Sequence, residues 1–153
     1  MISLKRKQSG FTIVELLIVI VVIGILAAII ITTFTGVQKK ARDADRKSDI
    51  NAIYSQVEVY FAQNSKYPTL ANLNDGTWRD ANVKGLTDDS IHAPNASNAL
   101  ISDLTSTATN VYIYAPTASG GGACDNSATD CGAFTIKANL ESGGDFTKTG
   151  SNN

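Results

Sequence analysis

An uninterrupted apolar stretch near the start of the chain constrains its fold more than any other feature. From Phe11 to Ile31 there are 21 residues with a single charge, on Glu15. A helix rises about 1.5 Å per residue, so a helix of this length covers the roughly 30 Å hydrocarbon core of a bilayer. A buried helix of a soluble protein is the less favoured alternative, because little of the later sequence could wrap a rod that is apolar on all sides. The stretch therefore predicts a membrane-spanning helix.

The position of small residues indicates how this segment is processed. An ordinary secretory signal has its cleavage site after the apolar run, but here Ala27 and Ala28 are followed by three isoleucines. Gly10 stands before the run, after a basic segment at residues 5–7. Cleavage after Gly10 would remove the basic leader and leave the apolar helix on the mature chain. Lipoprotein processing is not expected, because no cysteine lies near this junction.

The junction resembles a known processing motif in eight residues, Gly10-Phe11-Thr12-Ile13-Val14-Glu15-Leu16-Leu17. They are similar to the motif of type IV pilins and of the pseudopilins of type II secretion and competence systems. The resemblance implies that a prepilin peptidase cuts after Gly10 and methylates the new amine of Phe11. It also implies that Glu15 guides assembly by pairing with the Phe11 amine of an adjacent chain.

This resemblance implies a function as well as a processing step. We expect a structural subunit of a type IV pilus, held in the cell membrane as a single-pass precursor and then polymerised into an extracellular, homo-oligomeric filament. The implied partners are the prepilin peptidase, an inner-membrane platform protein and an assembly ATPase. A pseudopilin of a type II secretion or competence DNA-uptake system is the alternative. It is the second choice because major secretion pseudopilins generally bind calcium near the C-terminus and lack a disulfide in the head.

A single-span protein with an exposed binding or enzymatic head is an alternative of a different class, and it requires that the leader stays uncut. The distribution of Lys and Arg does not decide the topology. Three basic residues precede the apolar segment and five follow within the range that the charge-bias rule counts. The predicted orientation therefore depends on the leader motif.

A second helical pattern follows the membrane segment, at residues 37–64. Its apolar residues recur at spacings of three and four, with polar residues around them. No proline precedes Tyr67, so both segments can form one helix, and Pro68 predicts that this helix ends near Asn64. The apolar stripe consists of Ile50, Ile53, Tyr54, Val57 and Phe61. The predicted parts are a cleaved leader (1–10), a transmembrane and filament-core helix (11–36), an amphipathic helix (37–65) and a globular head (66–153).

The head is predicted to contain two strands, at residues 111–115 and 133–141. In the second strand apolar and polar residues alternate, which gives one face for a core. We expect this face to pack on the apolar stripe of the helix. Residues 66–105 show no clear period and are predicted to form short helices or turns. The predicted fold class is α+β, with a long N-terminal helix on a small antiparallel sheet.

Both cysteines of the chain lie between the two predicted strands. A disulfide from Cys124 to Cys131 would stabilise so small a head by about 2.5 kcal/mol on a chain-entropy estimate. Its position outside the membrane favours the bond over free thiols. Many pilins likewise close a loop near the C-terminus with a disulfide.

Charge is unevenly distributed along the chain. Residues 39–49 hold five basic and three acidic side chains, whereas residues 50–153 hold five basic and ten acidic ones. The acidic remainder argues against a nucleic-acid site, which needs a concentrated basic surface for phosphate contacts. The basic run is expected to be a solvated helix surface or a contact with lipid head groups.

The sequence does not predict catalysis or a cofactor. Two cysteines and the lone His92 make no recognisable zinc set, and no Gly-x-Ser-x-Gly elbow is present. Four oxygen-bearing residues near the cysteines lack the pattern of a calcium loop: Asp125, Ser127, Thr129 and Asp130. We therefore expect a structural protein without enzymatic activity, cofactor or metal.

Overall fold

A computed structural model describes residues 10–94, 96 and 99–151, without the side chains of Thr32 and Thr33. Residues 1–9 of the predicted leader lie outside these described residues. The chain divides into two compact units, Met1–Gln38 and Lys39–Asn153. The elements in chain order are α1 (Ile13–Asn64), α2 (Leu70–Asn74), α3 (Gly76–Asn82), α4 (Asp88–Ile91), β1 (Tyr112–Thr117), β2 (Ala133–Asn139) and β3 (Asp145–Ser151).

The described part of the first unit consists of the short entry to α1 and the apolar part of this helix. From Phe11 to Val37 the large apolar side chains are between 46% and 85% exposed. The helix contains a window with a mean hydropathy of 3.3 and is long and apolar enough to cross a membrane. It runs without a break through Gly24 and Gly36, where a side chain would meet nothing within 4 Å. The first unit therefore has an apolar surface that the described residues leave uncovered.

The second unit begins with the remainder of α1, which supplies one side of the core. Ile50, Ile53 and Val57 are fully buried, and Tyr54 and Phe61 pack at the edge of the core. The stripe predicted from the spacing of apolar residues is thereby confirmed. The helix ends at Asn64, as the following proline predicted.

A three-stranded antiparallel sheet in the order β1-β2-β3 supplies the other side of the core. In β2, Phe134, Ile136 and Ala138 are buried and alternate with more exposed polar residues. The ring of Phe134 lies 5.7 Å from that of Tyr54 on α1, which brings sheet and helix together. The two predicted strands and the α+β class are confirmed.

The third strand, β3, was not predicted. Phe146 is its only large apolar residue, so the sequence of this strand lacks the alternation that marks β2. β3 pairs with the whole of β2, from Asn139 opposite Asp145 to Ala133 opposite Ser151. Gly143 and Gly144 adopt positive φ angles in the turn that precedes it, a conformation that suits glycine.

Short helices fill much of the region that lacks a clear period. Thr69 and Asn72 form a capping box at the start of α2, and the carboxylate of Asp75 accepts hydrogen bonds from the first turn of α3. These caps allow helices of only a few residues to form. The helices contribute Leu73 and Ile91 to the core, and the segment between α3 and α4 contributes Val83 and Leu86.

Candidate assembly site and the contacts of the second unit

The predicted cleavage junction lies just before α1. Gly10 and Phe11 are exposed, and the side chain of Phe11 is 84% exposed. A side chain at Gly10 would meet no atom within 4 Å. Substitution of Gly10 is therefore sterically compatible with the rest of the described chain, so it can test processing without disturbing the fold.

Glu15 is the third residue of α1 and forms a capping box with Thr12 at the start of this helix. The backbone N–H of Thr12 donates to Oε2 of Glu15 at 2.9 Å, and its hydroxyl donates to the same oxygen at 2.8 Å. The backbone N–H of Glu15 donates to Oγ1 of Thr12 at 3.2 Å. Such a box satisfies backbone donors at a helix start that have no partner within the helix.

The capping box leaves part of the Glu15 carboxylate available. Its contacts with Thr12 use Oε2, and Oε1 has no partner among the described residues. An exposed acid can therefore hold its helix start and still offer one oxygen to a cation. Our sequence reasoning missed this cap, although the Thr-x-x-Glu pattern before an apolar run is its signature.

An ionic cluster joins the first turns of α1 in the second unit to the turn after β2. Nε of Arg42 donates to Oε1 of Glu141 at 2.8 Å, and Nη2 donates to Oε2 at 2.5 Å. Arg46 is only 2% exposed. Its guanidinium donates to Glu141, to Asp43 and to the carbonyl of Thr109 at 2.7–3.1 Å. The buried cation thus has carboxylate and carbonyl partners on several sides.

Asp43 extends this cluster to the backbone of the turn. Its two carboxylate oxygens accept the N–H groups of Glu141 and Ser142 at 2.8 and 2.9 Å. Burial would raise the pKa of Asp43, but these hydrogen bonds and the charge of Arg46 hold it below its ordinary value. Hydrogen bonds from Arg42 and then Arg46 lower the pKa of Glu141 to about 2. The carboxylates are therefore charged at neutral pH, and they attach the turn to the helix.

This cluster corrects our interpretation of the basic run as a solvated or lipid-facing surface for two of its five basic residues, while Lys39, Lys40 and Lys47 are exposed. Arg42 is bound to Glu141, and Arg46 is buried. The signal was present in the sequence, because Asp43, Arg46 and Ile50 continue the apolar stripe towards the N-terminus at the same spacings of three and four. We did not include charged residues in that stripe, and so we missed it.

Cys124 and Cys131 form a disulfide with their Cα atoms 5.1 Å apart. The bonded loop is attached to the segment that follows α1. The N–H of Tyr67 donates to the carbonyl of Cys131 at 2.8 Å, and Nδ2 of Asn126 donates to the carbonyl of Tyr67 at 2.7 Å. The loop therefore connects the end of the long helix to the start of β2.

The Cys124–Cys131 loop also uses Asp125, one of the four oxygen-bearing residues considered for calcium. Its Oδ1 accepts the backbone N–H groups of residues 127, 128 and 129 at 2.8–3.1 Å, which lowers the pKa of this carboxyl. The carboxylate thus folds the loop. Across the described ranges, no group of three or more His, Cys, Asp or Glu side chains is arranged to hold a metal ion.

Comparisons with known proteins match part of this chain. The family model of the prokaryotic N-terminal methylation motif matches residues 5–31. The type II secretion system core protein G of Dickeya chrysanthemi is 41% identical over 66 residues, which are 43% of this chain and 43% of that protein. The core protein G of Aeromonas hydrophila is 42% identical over 65 residues, which are 42% of this chain and 46% of that protein.

A pilus protein is matched as well. The type IV major pilin protein PilA of Myxococcus xanthus is 36% identical over 66 residues, 43% of this chain and 30% of that protein. Each of these matches spans less than half of the curated relative. No solved structure matches.

Proposed function

Because the chain belongs to the type IV pilin and pseudopilin family, we propose that it is a structural subunit of a type IV pilus. In this proposal a prepilin peptidase cuts the precursor after Gly10 and methylates Phe11. A platform protein in the inner membrane and an assembly ATPase then add the subunit to an extracellular filament. The subunit's own contribution is structural, since the head side chains described above form a core, an ionic cluster and a disulfide.

The observation that supports this proposal best is the uncovered apolar surface of the first unit. Soluble proteins rarely leave a large continuous apolar surface in contact with water. Such a helix is stable in lipid, where its backbone polar groups are satisfied within the helix. It is also stable among the same helices of other copies, which would form the core of a filament. Both environments are needed by a subunit that moves from a membrane into a polymer.

Glu15 supports the same proposal at the level of chemistry. A carboxylate near the bilayer centre costs about 2.5 to 3.5 kcal/mol on insertion scales, and less near the head groups. After cleavage, Phe11 would carry a free, positively charged amine. In a filament core this amine of one copy can pair with Oε1 of Glu15 in the next copy. This pair would compensate for the insertion cost of the carboxylate and fix the axial shift between neighbouring helices.

A pseudopilin of a type II secretion system is the second candidate, and a specific observation favours it. Core proteins G of two organisms are among the relatives described above, at 41% and 42% identity. The pilus subunit remains our proposal because the disulfide-closed loop of the head is a feature of many pilins. The two candidates share the N-terminal helix and its processing, so they differ in the filament that forms.

Two measurements on the full chain in its cell test this proposal. N-terminal sequencing of the membrane-extracted protein should give a methylated Phe11, and a Gly10→Val variant should remain an uncut precursor. Electron microscopy with an antibody to the head should label long surface filaments. The control is Gly36→Ala, which changes a glycine within α1, away from the junction, and should be cut normally.

The outcomes separate the candidates. An uncut chain that carries the leader in normal filaments would contradict the processing step. A cut chain that labels no surface filament but is required for protein secretion would favour the pseudopilin. A cut chain in long surface filaments would support the pilus subunit.

A further inference from the structure

The part of α1 in the second unit carries opposite charges on opposite flanks. Neighbouring residues of a helix are about 100° apart around its axis. Lys40 and Lys47 are seven residues apart and lie within about 20° of each other. Asp45 and Asp49 are four residues apart and lie within about 40° of each other. From Lys47 to Asp49 the angle is about 160°, so the two pairs lie on opposite flanks.

The lysine flank, defined as Lys40 and Lys47, is available for binding. Both side chains are exposed, and neither forms an ion pair within the part of the chain that the structure describes. The neighbouring arginines differ, because Arg42 and Arg46 are held by Glu141. Ion pairing within the second unit thus leaves three exposed lysines in this run of α1, and two of them, Lys40 and Lys47, lie together on one side.

The aspartate flank, defined as Asp45, Asp49 and Asp89, lies on the other side. Asp45 and Asp89 are exposed, while Asp49 accepts a hydrogen bond of 2.6 Å from the hydroxyl of Tyr112. Burial raises the pKa of Asp49, and the charges of Asp45 and Asp89 raise it further. Among the described residues no cation forms an ion pair with these three carboxylates. Negative charge is therefore concentrated here without an ion-pair partner among the described residues.

We propose that the lysine flank of one copy binds the aspartate flank of the next copy in the filament. This inference rests on the proposed function. The two flanks have opposite charge, and Asp45 and Asp49 lie on the same stretch of α1 as Lys40 and Lys47, so each copy offers both charges at a similar level. A contact between two different patches does not close on itself as a two-fold dimer does, and its repetition gives an open helical array wherever the rotation between copies does not close a ring.

A second copy fits these observations better than an anionic membrane. Lipid phosphates would attract Lys40 and Lys47, but they would repel the aspartate flank at the same level of the helix. A neighbouring copy satisfies both flanks at once. Complementary charges of this kind select the partner and its register more than they increase affinity.

Charge reversal in the full chain tests this contact. The lysine variant carries Lys40→Glu and Lys47→Glu, and the aspartate variant carries Asp45→Lys and Asp89→Lys. Asp49 is left unchanged because it binds Tyr112. Each variant alone brings like charges together, so we expect on the order of tenfold fewer filaments. Co-expression of both variants should restore filaments, because the new Glu residues of one meet the new Lys residues of the other.

Two controls accompany the reversal. Lys84→Glu makes the same charge change at an exposed lysine outside the flank and should leave filament number unchanged. Each variant is scored only after its mature N-terminus and its Cys124–Cys131 bond have been verified by mass spectrometry.

Chemical cross-linking tests the contact in wild-type filaments. A zero-length carbodiimide should join the lysine flank to the aspartate flank of a second chain, as a covalent dimer.

The outcomes are distinct. Filaments from the lysine variant at wild-type number, or wild-type filaments without such a cross-link, would overturn the contact. Loss of assembly that co-expression does not restore would also overturn it and would favour binding to lipid. If the wild-type chain forms no filaments at all, the proposed function fails, and this contact fails with it.

Discussion

Glu15 shows how one side chain can satisfy a local and an intermolecular requirement together. Its Oε2 accepts the N–H and hydroxyl of Thr12 at the start of α1, and Oε1 has no partner in the described part of the chain. A capping interaction alone explains why an acid is tolerated at this position. It does not require the acid to be charged, because glutamine can complete the same box. The two roles can therefore be separated by substitution.

We predict that Glu15→Gln inserts and is cleaved but forms few filaments. Glutamine keeps a capping oxygen and loses the charge that would pair with the Phe11 amine. The matched control is Thr12→Ala, which removes the cap, at a cost of about 1 kcal/mol in helix stability, and keeps the charge. Filament counts after verified cleavage decide the matter. If the Glu15→Gln variant assembles normally while the Thr12→Ala variant does not, the role of Glu15 is capping.

At the scale of elements, the head depends on contacts that link α1 to the loops around the sheet. Asp43 and Glu141 attach the turn after β2 to the helix, and the Cys124–Cys131 loop attaches the end of the helix to β2. These contacts restrain two segments that contain several glycines, and they do so at opposite ends of β2. The sheet is therefore held to the helix at both ends as well as through the core.

A low pH should weaken the ion pairs that attach the turn after β2 to α1, between Glu141 and the arginines at 42 and 46. Glu141 takes up a proton near pH 2 in the folded head and near its ordinary pKa of 4.5 in the unfolded chain. Between these pH values the unfolded chain binds more protons, so the stabilising effect is present above about pH 4.5 and is lost as pH falls towards 2. Glu141→Gln should lower the free energy of unfolding by about 2 kcal/mol at pH 7.

Urea unfolding of the second unit, residues 39–153, across pH 2–7 measures this effect. The difference between wild type and the Glu141→Gln variant should shrink as the pH falls. Asp145→Asn is the matched control, since this exposed acid lies in the same hairpin and has no ion pair among the described residues. A constant difference from pH 7 to pH 2 would contradict the attachment by charge.

Loss of the disulfide should weaken the other end of β2. Replacement of both Cys124 and Cys131 by alanine should lower the free energy of unfolding by about 2.5 kcal/mol, because the open loop regains chain entropy in the unfolded state. Thermal unfolding of the head with and without reductant measures it. Reductant should lower the Tm of the wild type and leave the variant unchanged. Equal stability of the two proteins under oxidising conditions would mean that the hydrogen bonds to Tyr67 hold the loop alone.

The sequence predicts those elements whose apolar residues repeat with the period of the element. The helix stripe around Ile53 and the strand around Ile136 were found in this way. β3 was missed because Phe146 is its only large apolar residue, and its place is set by pairing with β2. The burial of Asp43 and Arg46 was missed because we did not count charged residues in the stripe of α1. Their partner Glu141 was missed because it is distant in sequence and meets them only once the chain has folded. Contacts between distant charged residues leave no periodic signal.

At the scale of the whole molecule, the two units differ in what they expose. The first unit presents large apolar side chains all along its helix. In the described part of the second unit, two large apolar side chains are exposed to a similar degree, Val59 and Leu104. The core residues all belong to the second unit. The chain thus combines a segment that needs lipid or other helices with a head that has a core of its own.

We therefore predict that residues 39–153 alone form a folded, soluble monomer, whereas the full chain requires detergent. The fragment retains the core, the ionic cluster and the disulfide, and it loses the uncovered apolar helix. Its charged flanks should not hold copies together in solution, because exposed ion pairs contribute only about 0 to 1 kcal/mol each and the helix core that would align them is missing. Size-exclusion chromatography, circular dichroism and a cooperative thermal transition measure these properties. The matched control is the same fragment with Ile53→Asp, which places a charge in the core and should abolish the transition. A wild-type fragment that aggregates, or that melts without cooperativity, would show that the head depends on the apolar helix for its fold.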